Sequence, residues 1–138
     1  MIHGIGIDWI ETARIEQSLR RFGDRFLQRV FLPGEIEYCR SMKFPARHFA
    51  ARFAAKEAAS KAFGTGIGRF LGWKDVEVRR YPSGQPHLIF HGQGKTLAQK
   101  RGITQTHLSL THHETAAAAM VALSSEGKDP DETDAQVH

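Results

Sequence analysis

The chain has 138 residues, 41% of them hydrophobic and 25% charged, with a net charge of +4. That is the composition of a single globular domain with its own core, and it excludes a disordered or fibrous chain. Cys39 is the only cysteine, which rules out an intrachain disulfide and fits a reducing, cytoplasmic setting. The opening run Met1–Asp8 lacks the basic flank and apolar length of a signal peptide, and no apolar run reaches spanning length, so neither secretion nor membrane insertion is expected.

Charge is distributed unevenly. Residues 126–138 carry five acids (Glu126, Asp129, Asp131, Glu132, Asp134) against Lys128 and contain no aromatic residue, so a disordered acidic tail is expected. Residues 1–125, read as one domain, hold 18 bases and 10 acids, a net of +8. A body this basic implies an anionic partner: nucleic acid, a phosphorylated small molecule or an acidic protein.

In chain order, alternation over residues 2–8 predicts a short strand ending at Asp8. Thr12 is placed as an N-cap, with a helix over Ala13–Phe22 whose stripe is Ile15, Leu19 and Phe22. A second short helix starts at Asp24, and a third runs from Glu35 to Met42 after Pro33-Gly34. Pro45 opens the longest helix, which Gly64 stops after Phe63. Its face of Ala51, Ala55, Ala58 and Ala62 would allow close approach to a sheet, while Phe49, Phe53 and Phe63 point elsewhere. That helix is therefore expected at the centre.

Strands over Asp75–Tyr81 and His87–His91 flank Pro82-Ser83-Gly84-Gln85-Pro86 and form a hairpin. Gly94–Arg101 reads as a basic helix and His107–Thr111 as a strand. Ala116–Leu123 has helical propensity, but the short turn before it and Met120-Val121 favour a returning strand. The fold class is α+β, a small antiparallel sheet wrapped around a long central helix.

Several residues could carry chemistry. Asp8 and Glu57 could converge as a hard-oxygen magnesium site if the alanine-faced helix packs on the first strand. Spacing alone favours a plainer reading, in which Asp8 serves a turn and Glu57 pairs with Lys61 four residues on. Gly64-Thr65-Gly66-Ile67-Gly68 could offer amides to phosphate, but it follows a helix and lacks the Gly-Lys-Ser/Thr ending. It is therefore neither a P-loop nor a dinucleotide turn, and a helix C-cap is its simpler role.

His107, Ser109 and Thr111 share a strand face, with His112 and His113 after them; no zinc or hydrolase motif accompanies them. Arg14, Arg21, Arg25 and Arg29 recur near helical spacing. They form either a solvated face or a dock for an acidic helix. A nucleic-acid-binding module is the rival from another class. No exposed aromatics interleave with the bases, and no recognition-helix signature is present.

Taken together, these motifs resemble holo-acyl-carrier-protein synthases, the short 4′-phosphopantetheinyl transferases. The resemblance runs from Gly4-Ile5-Gly6-Ile7-Asp8 with Glu11 and Arg14, through the block Arg52-Phe53-Ala54-Ala55-Lys56-Glu57 to Gly68, to Ser109-Leu110-Thr111-His112. His113 and Ala116 depart from it where a hydroxyl residue and an aromatic are common. The resemblance implies transfer of the phosphopantetheine arm from coenzyme A to a serine of apo-acyl carrier protein, with release of 3′,5′-ADP. It implies a phosphopantetheinyl transferase fold, a role in fatty acid biosynthesis and lipid metabolism, and a homotrimer with interfacial active sites. Polyketide or peptide carriers stay open as alternatives.

In residues, the resemblance implies Mg²⁺ held by Asp8 and Glu57, and Lys61 against the phosphates. Glu57, or a metal-bound water that it orients, would be the candidate general base. Arg52, Lys61, Gly64, Thr65, Gly66, His107 and Thr111 would bind coenzyme A. Arg14, Arg21, Arg25 and Arg29 would dock the carrier, leaving no need for nucleic acid or membrane.

Overall fold

Side-chain alternation continues past Asp8 through Trp9, Ile10 and Glu11, and strand β1 accordingly spans Ile2–Glu11. The computed structural model describes residues 1–126. Helices α1 (Thr12–Phe22), α2 (Asp24–Val30), α3 (Pro33–Ser41) and α4 (Pro45–Phe63) follow. A 3-10 turn at Trp73–Asp75 leads into β2 (Val76–Arg80) and β3 (Pro86–Phe90). The chain then forms α5 (Gly92–Lys100), β4 (Gln105–His112) and β5 (Ala116–Ser124). One antiparallel sheet has the order β1-β5-β4, and β2-β3 form a separate hairpin.

Three expectations need correction. Asp8 lies inside β1 and does not end it. Thr12 is the first residue of α1 and Glu11 takes the N-cap position, because Glu11 is still paired with Ala116 and keeps an extended backbone (φ −73°, ψ 130°). Helices α3 and α5 each begin two residues earlier than read, at Pro33 and Gly92. The strand assignment of the alanine run holds: β5 lies between β1 and β4, with Ala117, Ala119, Val121 and Leu123 buried. Tertiary pairing on both edges outweighs helical propensity here. Of the expected tail, 126–138, only Glu126 falls within the described residues.

The inner face of the three-stranded sheet packs on α4, whose Ala51, Ala54, Ala55, Ala58 and Ala59 are all buried. Gly64 ends α4 in the left-handed conformation, φ 80°. The outer face carries Ile5, Ile7 and Trp9 on β1, Met120 opposite Ile7 on β5, and His107, Ser109 and Thr111 on β4. Ile5, Ile7, Trp9 and Met120 are between 52% and 69% exposed. That is a contiguous apolar patch of the kind that marks an interaction surface.

A buried ion pair joins the helices to the hairpin. The Lys56 ammonium donates to Glu35 Oε1 at 2.8 Å, to the Trp73 carbonyl at 3.0 Å and to the Val76 carbonyl at 2.5 Å. Glu35 also accepts the amides of Leu32 (2.9 Å) and Val78 (3.0 Å). Removing one partner alone would strand a buried charge, at a cost of roughly 3–5 kcal/mol. No helix among the described residues is long and apolar enough to cross a membrane.

Candidate active site

Asp8 leaves β1 on its inner side, and Glu57 and Lys61 stand one turn apart on α4. All three line a cleft of about 510 Å³, with Trp9, Arg14, Gln17, Ser18, Phe26 and Phe53 among its other walls. Two glycines make the convergence possible. A Cβ on Gly6 would stand 1.9 Å from the Ala58 carbonyl oxygen, and one on Gly4 2.0 Å from that of Ala62. Strand and helix therefore meet backbone to backbone, which brings side chains of the next residues within reach of one another.

Lys61 pairs with Asp8 (Nζ–Oδ1 3.1 Å) and donates to the Ile7 carbonyl at 3.0 Å. The expected helical pair with Glu57 is thus replaced by one across the strand. Burial pushes the Glu57 carboxyl above its ordinary range, and the Asp8 charge adds to this, with Lys61 opposing. Two carboxylates lining one cleft, the charge of one bearing on the other, are a donor set a hard divalent cation would satisfy.

The remaining residues expected to bind coenzyme A lie elsewhere on the chain. Arg52 is buried on a different side of α4, its guanidinium 4.2 Å from the centre of the Tyr38 ring and its Nε without a hydrogen-bond partner. Around it stand Arg80, bonded to the Tyr38 hydroxyl, and the rings of His48 and His112, 4.6 Å apart. Burial first, and then His112, Arg52, Arg80 and Arg47 in that order, together lower the His48 pKa from 6.5 to about 4. This cluster is missing from the sequence reading, because its members come from α3, α4, β2 and β4 and show no periodicity.

His107 and Thr111 lie on the outer face of the sheet, His107 Nε2 3.0 Å from Ser124 Oγ. The glycine segment is a helix cap: the Gly64 amide bonds Lys61 O, those of Thr65 and Gly66 bond Ser60 O, and that of Gly68 bonds Leu71 O. Those amides are committed within the chain, so a phosphate would meet the open space over Gly64, Gly66 and Gly68 rather than an amide nest.

The arginine row holds together as a surface. Arg14 lines the cleft, and Arg25 and Arg29 line an adjoining groove with Ser18, Phe22 and Phe26, of which Ser18 and Phe26 are shared by both. Arg21 packs over the Phe22 ring at 5.2 Å. The aromatic floor went unread because Phe22 and Phe26 each look like ordinary core-stripe residues in the sequence.

Comparison with known proteins gives this geometry its context. Residues 4–121 match the family model described as the 4′-phosphopantetheinyl transferase superfamily. The chain belongs to this family. It is 52% identical over 123 residues to a holo-[acyl-carrier-protein] synthase of Koribacter versatilis, covering 89% of this chain and 98% of that protein. Among solved structures, the holo-[acyl-carrier-protein] synthase of Neisseria meningitidis superposes with a TM-score of 0.84 at 30% identity, covering 91% of this chain and 100% of that one. A holo-(acyl-carrier-protein) synthase from Bacillus anthracis, solved in complex with CoA (3′,5′-ADP), gives a TM-score of 0.76 at 40% identity, covering 91% and 99%. Within the superfamily the chain groups with these synthases, and it is a phosphopantetheinyl transferase.

Proposed function

We propose that this phosphopantetheinyl transferase moves the arm of coenzyme A onto a serine of apo-acyl carrier protein in the cytoplasm and releases 3′,5′-ADP. The observation that carries the reading is the convergence of Asp8, Glu57 and Lys61 in one cleft of a chain that belongs to this family. Asp8 and Glu57 would hold Mg²⁺, which when bound supplies positive charge to the pyrophosphate as its anhydride bond breaks.

The residues divide the remaining work. The carrier serine oxygen forms a bond to the phosphorus that bears the pantetheine arm, the bond from that phosphorus to the bridging oxygen breaks, and 3′,5′-ADP leaves with the electron pair. Glu57 takes the serine proton, directly or through a metal-bound water that it orients. Lys61, half exposed and held by one carboxylate and one carbonyl, is placed to exchange these for phosphate oxygens and stabilise the developing charge. Arg52, Gly64, Thr65, Gly66, His107 and Thr111 complete the coenzyme pocket. Arg14, Arg21, Arg25 and Arg29 receive the acidic helix of the carrier.

The dispersal of these coenzyme residues over one protomer supports a homotrimer. The apolar outer face of the sheet is also the face that bears His107 and Thr111. Assembly through that face would bring them to a neighbouring cleft. The test is to incubate the protein with coenzyme A and apo-acyl carrier protein, with Mg²⁺ or with chelator. A gain of one phosphopantetheine arm by mass spectrometry only with the metal is expected, and its absence in both arms would refute the reading.

A further inference from the structure

Lys56 neighbours Glu57 in sequence, yet its side chain is wholly buried between α4, α3 and the β2-β3 hairpin, outside the cleft. We infer that Lys56 is a positioning residue for coenzyme binding: with Glu35 it fixes the far end of the Gly64–Gly72 segment to the helix that carries Glu57 and Lys61. The inference rests on the reading that coenzyme A lies against that segment.

The segment leaves α4 at Gly64 and is pinned there by Ser60, whose carbonyl takes the Thr65 and Gly66 amides at 3.1 and 3.2 Å. It returns at Trp73, whose carbonyl accepts from Lys56 at 3.0 Å, while the Trp73 ring packs 4.6 Å from that of Phe53 in the cleft wall. Both ends are therefore tied to one turn of one helix, about 6 Å of its length. Leu71, fully buried, holds the segment down. Apolar contact sets no register along a chain, however, whereas a carbonyl bound to a fixed ammonium does.

The same ammonium fixes the Val76 carbonyl, and Glu35 fixes the Val78 amide, so hairpin and segment cannot shift separately. An apolar pair of similar volume could stabilise the fold as well as this ion pair does. What it could not supply is the directional hold on Trp73. The structure gives that hold a consequence: it sets where the segment lies relative to Lys61.

The test is the double variant Glu35→Gln/Lys56→Met, which leaves no unpaired charge. In the folded variant KM for coenzyme A should rise about ten-fold or more, as small misplacements of binding groups do. The kcat and the KM for carrier protein should stay within about two-fold. An unchanged coenzyme KM, or a parallel loss in all parameters, would overturn the inference. Should the variant not fold, amide exchange in the wild-type protein decides. A local tie requires coenzyme A to slow exchange of the Val78 amide by a larger factor than that of Val121 at the centre of the three-stranded sheet, and equal factors or an unchanged rate would contradict the tie. A wild-type protein that binds no coenzyme A would remove the functional reading itself. Binding that is normal and insensitive to the pair removes only this inference.

Discussion

Gly6 lies so close to Ala58 that a Cβ on the glycine would stand 1.9 Å from the alanine carbonyl oxygen. Asp8 is two residues further along the same strand face, and Glu57 adjoins Ala58 on the helix. The contact between two side-chain-poor backbones therefore sets the distance between the two carboxylates. Gly6→Ala must push β1 off α4, and overpacking of this kind costs roughly 1–3 kcal/mol. Urea unfolding measures it, and a loss within about 0.5 kcal/mol of wild type, the range of surface substitutions, would show that the approach is not tight.

Arg14→Glu reverses charge at the mouth of the cleft, where the arginine row begins. Carrier affinity should fall at least about ten-fold, since like charges across an interface cost several kcal/mol. Coenzyme A affinity should change far less. Separate calorimetric titrations of the two ligands give the comparison. Equal losses would count against a docking role.

Ile7→Lys places an ammonium in the middle of the apolar outer face, beside Met120. Sedimentation should find the wild type trimeric and the variant dissociated, with transfer activity lost alongside. A wild-type protein that sediments as a stable, active monomer would refute assembly through this face.

His48 offers a test by pH. It is packed on His112 and faced by Arg52, Arg80 and Arg47, and its pKa falls from 6.5 to about 4. Between those values the unfolded chain binds more protons than the folded one. The stability it contributes is therefore complete above pH 6.5 and is lost as the pH falls toward about 4. His112 is depressed in the same direction, by burial first and then by Arg47. Denaturation midpoints followed across this window should drop steeply in wild type and less in His48→Phe. Equal slopes would show that His48 is not held neutral.

Much of this molecule is legible in its residues, and what is not legible has physical causes. The alternation of Ile5, Ile7 and Trp9 with small partners reveals a strand. It also contains the reason that strand runs beyond Asp8, since Ile10 is buried in turn. The alanine face of α4 with Gly4 and Gly6 announces a close helix–sheet contact. Sequence spacing could not pair Lys61 with Asp8, since 53 residues separate them and the closer candidate, Glu57, satisfies the helical rule. Nor could it find the Lys56–Glu35 tie, in which two charges leave solvent altogether. The aromatic and cationic surroundings of Arg52 are likewise a product of tertiary packing.

The central claim is that Asp8 and Glu57 form the reacting cleft of a phosphopantetheinyl transferase. Intact-mass analysis of apo-acyl carrier protein, incubated with coenzyme A, Mg²⁺ and either wild-type protein or its Asp8→Ala and Glu57→Ala variants, tests it most directly. Wild type should convert the carrier to its phosphopantetheinylated form, and both variants, with native circular dichroism, should leave it unmodified. A carrier unmodified by wild type, or fully converted by either variant, would contradict the account.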